Sequence, residues 1–274
     1  MQLTQWSSIG GGMRAADLLA PAALDGVTAV VSSRRGGASE APFESLNMAF
    51  HVGDVDEAVE ANRRKLFQAL DVDPAVVVTC EQVHGSAVHV ARSGDAGRGS
   101  LELASAIRET DALVTAERDL CLMVVVADCV PLVLFDPHRR VVAIAHCGWQ
   151  GTAQGVADAT LETMTGQLEC RAADVIAALG PSICAQHYEV GPEVAATFRR
   201  GAWAAEASPL QQVGEERWLL DLRAANAMRL RALGVRQENV HMTGTCTFES
   251  PDDLYSHRRS GSPTGRVAAC VMMR

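Results

Sequence analysis

The sequence predicts a single α/β domain built on mixed β-sheets. Apolar runs rich in Val, Ile and Leu interleave along the chain with segments of helical periodicity, which is typical of the α/β class. The runs are nearly continuous rather than alternating, so we expect sheets that are covered on both faces. Several connections between strands are too short for parallel crossovers, which indicates mixed sheets. No change in composition marks a linker, so we predict one domain over residues 26–274, preceded by an N-terminal lead-in over residues 1–25.

The first part of the chain predicts a strand, a helix and two further short strands. Gly10–Gly12 is typical of a mobile lead-in or a turn. A strand is predicted over residues 26–33, followed by a loop that contains Gly36 and Gly37. Residues 54–70 predict a helix, because Ala58, Leu66 and their neighbours fall near one face while the charged residues fall on others. Short strands follow at residues 76–79 and 86–91.

The rest of the chain predicts a dense set of buried strands and three more helices. Strands rich in Val, Ile and Leu are predicted in chain order at residues 110–115, 120–127, 132–135, 141–145, 175–179, 240–243 and 267–272. Helices are predicted at residues 152–165, 193–200 and 222–233, the last ending at Gly234.

Charge and cysteine usage restrict the environment of the protein. The chain has 24 basic and 33 acidic residues, a net charge of −9, which disfavours binding to nucleic acid or anionic membranes. The longest apolar run, residues 120–135, is broken by Asp128 and Pro131 and is too short to span a bilayer. With no signal peptide and no dense cysteine framework, the eight cysteines are expected to be reduced thiols in the cytoplasm. Oligomeric state is left open, with a monomer as the simpler expectation.

Three residues end apolar strands in a way that indicates chemistry: His84, Cys129 and His146. Two imidazoles and a thiolate form a ligand set suited to Zn²⁺, with a fourth position left for water or substrate. The distances between them along the chain match no short local zinc motif. A pair of Cys129 with His146 as nucleophile and base therefore stays open, as do an inert buried thiol and structural histidines. Asp128 lies inside an apolar run, where a carboxylate is costly unless it is paired.

Ordered motifs along residues 27–273 resemble one known family. They are Ser33-Arg34-Arg35-Gly36-Gly37, Ser45-Leu46-Asn47, His51-Val52-Gly53-Asp54, Asn62-Arg63, Gln82-Val83-His84-Gly85, Asp111-Ala112-Leu113-Val114-Thr115, Ala127-Asp128-Cys129-Val130-Pro131, Ala145-His146-Cys147-Gly148-Trp149, Leu179-Gly180-Pro181-Ser182-Ile183, Tyr188-Glu189-Val190-Gly191, Cys246-Thr247 and Ser256-His257-Arg258-Arg259. The sequence resembles the laccase-domain family, also called YfiH-like or multicopper polyphenol oxidase-like, which is also described as a zinc-dependent purine nucleoside phosphorylase family.

The resemblance implies a fold, a cofactor and a reaction. The implied fold is one α/β domain layered α-β-β-α around mixed sheets. His84, Cys129 and His146 match the family's metal ligands, and zinc is the implied metal. The implied reactions are phosphorolysis of adenosine, inosine, guanosine or methylthioadenosine, and some adenosine deamination, so the implied partners are a purine nucleoside and phosphate.

The sequence departs from the family pattern at three positions. Gln150 replaces the usual arginine after the third ligand, which removes a cation near the site. Cys147 replaces a small residue, and His257 replaces a tyrosine or similar residue.

Six further residues are candidates within the implied site. Arg34 and Arg258 are candidate phosphate donors, because arginine binds phosphate through two parallel hydrogen bonds. Asp128 could orient a ligand or accept a proton, or brace a turn. Asn47 and Gln82 could bind polar substrate atoms or brace loops. His51 could contact substrate or be a structural histidine.

Three alternative functions stay open from the sequence. A copper-type polyphenol oxidase would need many more clustered histidines than these eight scattered ones. A cysteine hydrolase or amidase would use Cys129 with His84 or His146. A zinc- or ligand-binding protein without catalysis is the third alternative.

Overall fold

A computed structural model describes residues 6–18, 26–200 and 208–274. Its first sheet has six strands: β1 (Ser7–Gly10), β2 (Met13–Asp17), β3 (Val27–Ser32), β4 (Val77–Thr79), β7 (Cys121–Val126) and β15 (Val267–Met273). Their order in the sheet is β1-β2-β3-β15-β7-β4, and only the β4–β7 pair is parallel.

The second sheet also has six strands: β5 (Val88–Val90), β6 (Ala112–Thr115), β8 (Val130–Asp136), β9 (Val141–Cys147), β10 (Ile176–Leu179) and β14 (Val240–Met242). Their order is β14-β10-β8-β9-β6-β5, with parallel pairs only at the two edges of the sheet. Both sheets are mixed, as the short connections predicted.

A small antiparallel sheet and six α-helices complete the described fold. The sheet is formed by β11 (Glu189–Val190), β12 (Leu210–Gly214) and β13 (Arg217–Leu220). The helices are α1 (Asp56–Ala69), α2 (Trp149–Gln154), α3 (Val156–Gln167), α4 (Pro192–Arg200), α5 (Leu222–Ala232) and α6 (His257–Ser260). The helix predicted over residues 152–165 is two helices, because Gly155 adopts φ +85° at their junction.

The two large sheets pack face to face, and helices cover their outer faces. Val124 and Val271 of the first sheet share a buried cluster with Val133 and Ile144 of the second. On the other side of the first sheet, α1 and the loop before it pack against the strands. The other face of the second sheet is covered by α3 and α5. This is the α-β-β-α layering that the resemblance implied, and it explains why the strand sequences are apolar on both faces.

The described part of the predicted lead-in is structured. Residues 7–17 form a hairpin, closed by Gly10–Gly12, that adds two strands to the first sheet through pairing of β2 with β3. Positive φ angles at all three glycines make them the turn, which was one of the two predicted alternatives. Residues 19–25, which end the predicted lead-in, lie outside the described residues, so the division at residue 25 stays a prediction.

The loop that joins β3 to α1 is held from inside by buried polar side chains. Asn62 accepts from the Ala38 amide and donates to the carbonyls of Ser45 and Asn47. Arg63 donates to the carbonyls of Met48, Gly99 and Ser100, and burial lowers its pKa to about 9. These bonds satisfy backbone carbonyls that would otherwise be buried without partners. In residues 33–63, the Asn62-Arg63 motif therefore stabilises the loop structure.

Among the described residues, no helix has the length and apolar character needed to cross a membrane.

Candidate functional site

His84, Cys129 and His146 meet where the two large sheets come together. His146 lies near the end of β9, and Cys129 lies in the three-residue link by which the chain passes from β7 to β8. Pairing of Val130 with Cys147 places Cys129 beside the end of β9. His84 comes from the loop between β4 and β5. Their possible ligand atoms all lie within 4.8 Å of one another.

The donor set has the geometry of a metal centre with one open side. The rings of His84 and His146 are 4.8 Å apart and nearly perpendicular, at 75°. His146 is buried, Cys129 is half-buried and His84 is exposed. Two imidazoles and a thiolate suit a borderline-soft cation such as Zn²⁺, and three protein ligands leave a coordination position for water or substrate.

Asp111 positions both histidines, although it was not among the predicted site residues. It is fully buried, directly before β6, and its carboxylate accepts from His146 Nδ1 at 2.8 Å. The same carboxylate accepts from the backbone amides of Val83, His84 and Gly85 at 2.7–3.1 Å. Because Nδ1 of His146 is held by this carboxylate, Nε2 is left to face Cys129 and a metal. A carboxylate immediately before an apolar strand was the sequence signal that could have identified Asp111.

Two left-handed backbone positions lie at the centre. His84 has φ +61° and Asp128 has φ +82°, a region that residues other than glycine adopt at a cost of about 1–3 kcal/mol. The three amides held by Asp111 stabilise the turn at His84. At Asp128, the carbonyl accepts from the Ile183 amide and the carboxylate is bonded on both oxygens. Strain of this kind commonly persists at functional sites.

The charges within the trio depend on each other. Burial alone would raise the pKa of Cys129, but the imidazoles of His146 and His84 lower it to about 6. Burial alone would lower the pKa of His146, but the Cys129 thiolate and Asp111 raise it. Without a metal, the pair therefore favours a thiolate beside an imidazolium at neutral pH. A thiolate is the protonation state in which cysteine binds a metal.

A cavity of about 430 Å³ opens above the three ligands. This volume falls within the range of about 300–1,000 Å³ common for small-molecule sites. Besides the trio, it is lined by His51, Gln82, Val125, Ala127, Asp128, Trp149, Gln150, Tyr188, His257, Arg258 and Arg266.

Two arginines and a neutral histidine face this cavity. Arg258 lies over the Tyr188 ring, 4.9 Å from its centre, and its Nη1 donates to the Glu189 carbonyl. Arg266 comes directly before β15, and its Nη1 donates to the carbonyls of Thr264 and Gly265. Partial burial and the nearby charge of Arg266 lower the pKa of His51 to about 4, so its imidazole is neutral at pH 7. The sequence missed Arg266; a lone arginine at the start of an apolar run was the available signal.

Asp128 and Gln82 lie on the cavity wall but are occupied by the protein itself. The Asp128 carboxylate accepts from the Thr247 hydroxyl at 2.5 Å and from the Arg258 amide at 2.7 Å. The Gln82 side chain exchanges two hydrogen bonds with the backbone of Val125, both at 2.8 Å. Both residues therefore brace the wall, which was one of the alternatives for each.

Arg34 and Asn47 are not among the residues that line the cavity, so their roles in binding phosphate and substrate stay predictions. Arg34 donates to the carbonyls of Glu44 and Pro251 and lies over the Tyr255 ring, away from the cavity. Asn47 is fully buried and bonds to the backbone of Ala49 and to Asp54, and its Oδ1 also accepts from the backbone amide of Arg266. Sequence alone does not reveal that these polar side chains serve loop carbonyls and amides.

The three departures from the family pattern fall in different places. Gln150 and His257 line the cavity and so change its polar surface. Cys147 points away from it, fully buried against α3, and burial raises the pKa of its thiol well above the usual value.

Replacing Asp111 with asparagine should weaken metal binding. Asparagine has the same shape, but its amide nitrogen cannot accept from the Gly85 or Val83 amide, so the His84 turn and the His146 ring lose their common anchor. Loss of such an outer partner typically lowers metal affinity about 10–100-fold. Competition with a chromophoric chelator measures the affinity. Asp252→Asn, at a position 85% exposed, is the control and should leave it unchanged; unaltered affinity in Asp111→Asn would show that Asp111 does not position the ligands.

Comparisons with known proteins agree with this architecture. The family model described as multi-copper polyphenol oxidoreductase laccase matches residues 28–274. The chain belongs to this laccase-domain family. Relatives in it carry another description: the purine nucleoside phosphorylase YlmD of Bacillus subtilis is 33% identical over 248 residues, covering 90% of this chain and 89% of that protein. A purine nucleoside phosphorylase of Streptomyces coelicolor is 39% identical over 242 residues, covering 88% and 93%.

Solved structures share the fold. The crystal structure of YlmD from Geobacillus stearothermophilus is similar with a TM-score of 0.95 at 32% identity, and the match covers 100% of both chains. The single α/β domain with mixed sheets is therefore confirmed.

Proposed function

We propose that this protein is a zinc-dependent purine nucleoside phosphorylase. The observation that carries the proposal is the convergence of His84, Cys129 and His146 at the base of a cavity that Arg258 and Arg266 also face. A cation site beside anion-binding groups suits a reaction between phosphate and a neutral nucleoside. The names of the relatives support the same reaction.

The residues present fit zinc. One thiolate and two imidazoles match the ligands that zinc prefers, and Asp111 holds one imidazole as zinc-binding histidines usually require. When bound here, zinc supplies Lewis acidity and a coordinated water of lowered pKa. A copper oxidase remains the older alternative for the family. Among the described residues, however, the groups able to hold a metal include no multi-histidine cluster of the kind a trinuclear copper centre needs.

Arg266 and Arg258 are the groups that we propose bind phosphate. Contacts to backbone carbonyls fix both guanidinium groups, and among the described residues the Nε and Nη2 hydrogens of Arg266 have no acceptor. Arginine held in this way offers planar, charged donors to a phosphate. In phosphorolysis a phosphate oxygen bonds to the ribose carbon while the bond from that carbon to the purine nitrogen breaks, so holding phosphate in line is the main task of the protein.

Tyr188 and Trp149 supply the aromatic surface for the purine. Both line the cavity. Tyr188 is partly buried against the hydrophobic core of the second sheet, and the Arg258 guanidinium lies over its ring. Neutral His51 can donate or accept a hydrogen bond at the rim without adding charge. A site recognising a flat base mainly by stacking tolerates different purines, so we propose adenosine, inosine, guanosine and methylthioadenosine as substrates. The open coordination position also supports adenosine deamination as a second activity.

Product analysis tests the proposal directly. The purified protein is incubated with adenosine, with and without inorganic phosphate, and the products are separated by chromatography. Adenine with ribose 1-phosphate, formed only when phosphate is present, is the expected result; inosine would demonstrate deamination. If protein shown to contain zinc neither releases the free purine base from any of the four nucleosides nor converts adenosine to inosine, the proposal is wrong and a non-catalytic binding role gains support.

Replacing Arg266 with alanine should weaken phosphate binding. A hydrogen bond to a charged group contributes about 1.5–3 kcal/mol, so kcat/KM for phosphate should fall about 10–100-fold while zinc content is unchanged. Initial rates at varied phosphate measure this. Arg171→Ala, at a side chain 77% exposed and outside the cavity lining, should behave as the parent protein. An unchanged phosphate KM in Arg266→Ala would assign phosphate binding elsewhere.

Metal-free protein should contain an unusually acidic thiol. Because nearby imidazoles lower the pKa of Cys129 to about 6, its thiolate forms as the pH rises through about 6, well below the value of about 8.5 for a free thiol. Iodoacetamide labelling of Cys129, followed by peptide mass spectrometry across pH 4–9, should show this midpoint, and added zinc should suppress labelling. Activity that survives chelation, with fast labelling unaffected by zinc, would instead support the cysteine hydrolase alternative.

The cytoplasmic location, the monomeric state and the lack of nucleic-acid or membrane partners stay predictions from composition.

A further inference from the structure

A second cluster of ligand-type side chains lies outside the cavity. Cys184 caps the one-turn 3-10 helix Ala185–His187, which ends at His187. Cys246 and Glu249 are separated by two residues on a loop that is bridged to this segment through Ser182 and Cys246. Their possible ligand atoms all lie within 4.8 Å of one another. In sequence the pattern is C-x-x-H followed by C-x-x-E, and cysteine sulfur, histidine nitrogen and glutamate oxygen are all ligand types that zinc accepts.

The distances around His187 match the edges of a coordination tetrahedron. His187 Nδ1 lies 3.2 Å from Cys184 Sγ, 3.8 Å from Cys246 Sγ and 3.5 Å from a Glu249 carboxylate oxygen. Ligands at zinc distances of about 2.0–2.3 Å in a tetrahedron are about 3.3–3.8 Å apart, so two of the three distances fall in this range and the one to Cys184 is slightly shorter. A hydrogen bond from His187 Nδ1 would need only one of these partners, whereas three ligand-type atoms surround this nitrogen.

We propose that Cys184, His187, Cys246 and Glu249 form a second, structural zinc site. Four protein ligands close the coordination sphere, which separates this site from the three-ligand centre of the cavity. This inference does not depend on the proposed function.

The surroundings hold the ligands in place. The His187 ring stacks on Phe248, with centres 4.4 Å apart and planes within 13°, so the ring orientation is fixed. The Cys184 amide donates to Cys246 Sγ at 3.3 Å, which ties the two cysteine segments together. Arg259 donates to the carbonyls of Thr247 and Phe248 and brings positive charge beside a site whose two thiolates and one carboxylate exceed the charge of Zn²⁺ by one.

The site joins two segments that build the cavity wall. Tyr188 directly follows His187, and Thr247, which donates to Asp128, directly follows Cys246. A cation bound between the segments would hold Tyr188 and Asp128 in register. We therefore expect zinc at this site to stabilise the wall without taking part in the reaction.

Zinc analysis of purified protein tests the inference. Protein is expressed with zinc, passed through a desalting column in reducing buffer and measured by mass spectrometry for metal per chain. The wild type should carry two zinc ions, Cys184→Ser and Cys246→Ser one each, and Cys129→Ala one. Cys170→Ser, a thiol outside both clusters, should retain both. Glu249→Gln, at an exposed carboxylate, should keep the fold but lose the second ion to a chelator at least tenfold faster.

The outcomes separate this site from the first. If the cavity binds no zinc but the second site does, the wild type and Cys129→Ala each hold one ion and Cys184→Ser holds none. Equal zinc content in the wild type, Cys184→Ser and Cys246→Ser would overturn the inference. So would a Cys184–Cys246 disulfide found by peptide mapping of protein purified under nitrogen, since those sulfurs could not then bind the metal. Because Cys184 is half-exposed, its variant remains informative should the buried Cys246→Ser variant not fold.

Discussion

Replacing Cys129 with alanine is expected to remove zinc from the cavity and to abolish phosphorolysis. The substitution deletes one of three ligands, and the two remaining imidazoles cannot hold the ion with comparable affinity. Lewis acidity contributes several kcal/mol to a transition state, so a loss of about 3–5 kcal/mol corresponds to about 10²–10⁴-fold in kcat/KM. Deamination should be lost in parallel, because both proposed activities use the same centre.

The adjacent thiol provides a matched control for this prediction. Cys147 is fully buried and packs against α3, whereas Cys129 is half-buried, and the family pattern has a small residue at position 147. Cys147→Ala should therefore retain zinc and activity, with only a modest fall in the midpoint of thermal unfolding. Rates with adenosine and phosphate, and zinc per chain, are measured for both variants. Retained phosphorolysis in Cys129→Ala would eliminate the metal mechanism, whatever happened in the control.

Most strands were predictable because their sequences are almost entirely apolar. Runs such as residues 121–126 and 141–147 are apolar on both faces, and only a covered strand requires that. The hairpin of β12 and β13 was not predicted, since its exposed residues lack any clear alternation. The hairpin of β1 and β2 was missed for a related reason: its first strand is exposed, and its glycine turn also fits a mobile segment.

Some residues of the site could be identified from the local sequence, whereas the roles of others depend on tertiary packing. His84, Cys129 and His146 were identifiable because soft ligands at strand ends are unusual, and the structure brings them together. Arg34 and Asn47 lie outside the cavity lining, which the sequence could not show, because a polar side chain near a glycine-rich loop has the same sequence appearance whether it binds substrate or a backbone carbonyl. Asp111 was missed because its role depends on the pairing of Ala112 with Ala145, which places it beside His146.

Gly148 is the position where the smallest change should have a large effect. Its φ of −75° and ψ of 174° suit any residue, so an alanine there would strain no backbone angle. A methyl group at Gly148 would lie 2.9 Å from His84 Cδ2 and 3.0 Å from Cys129 Sγ, which is closer than such contacts normally allow. Both neighbours are proposed metal ligands, so relief of the contact by either side chain would move a proposed ligand. Gly148→Ala should therefore damage the centre by steric displacement alone.

The expected size of this effect follows from the precision that a catalytic centre needs. A displacement of about 1 Å commonly costs about 100-fold in rate, and overpacking a core costs about 1–3 kcal/mol in stability. Gly166→Ala, in α3 with no atom within 4 Å of the added methyl, should instead stabilise the protein slightly. Activity, zinc affinity and unfolding midpoints of both variants decide the matter. If Gly148→Ala binds zinc and turns over nucleosides as the wild type does, the ligands are not packed against this glycine, and the arrangement proposed for the centre is incorrect.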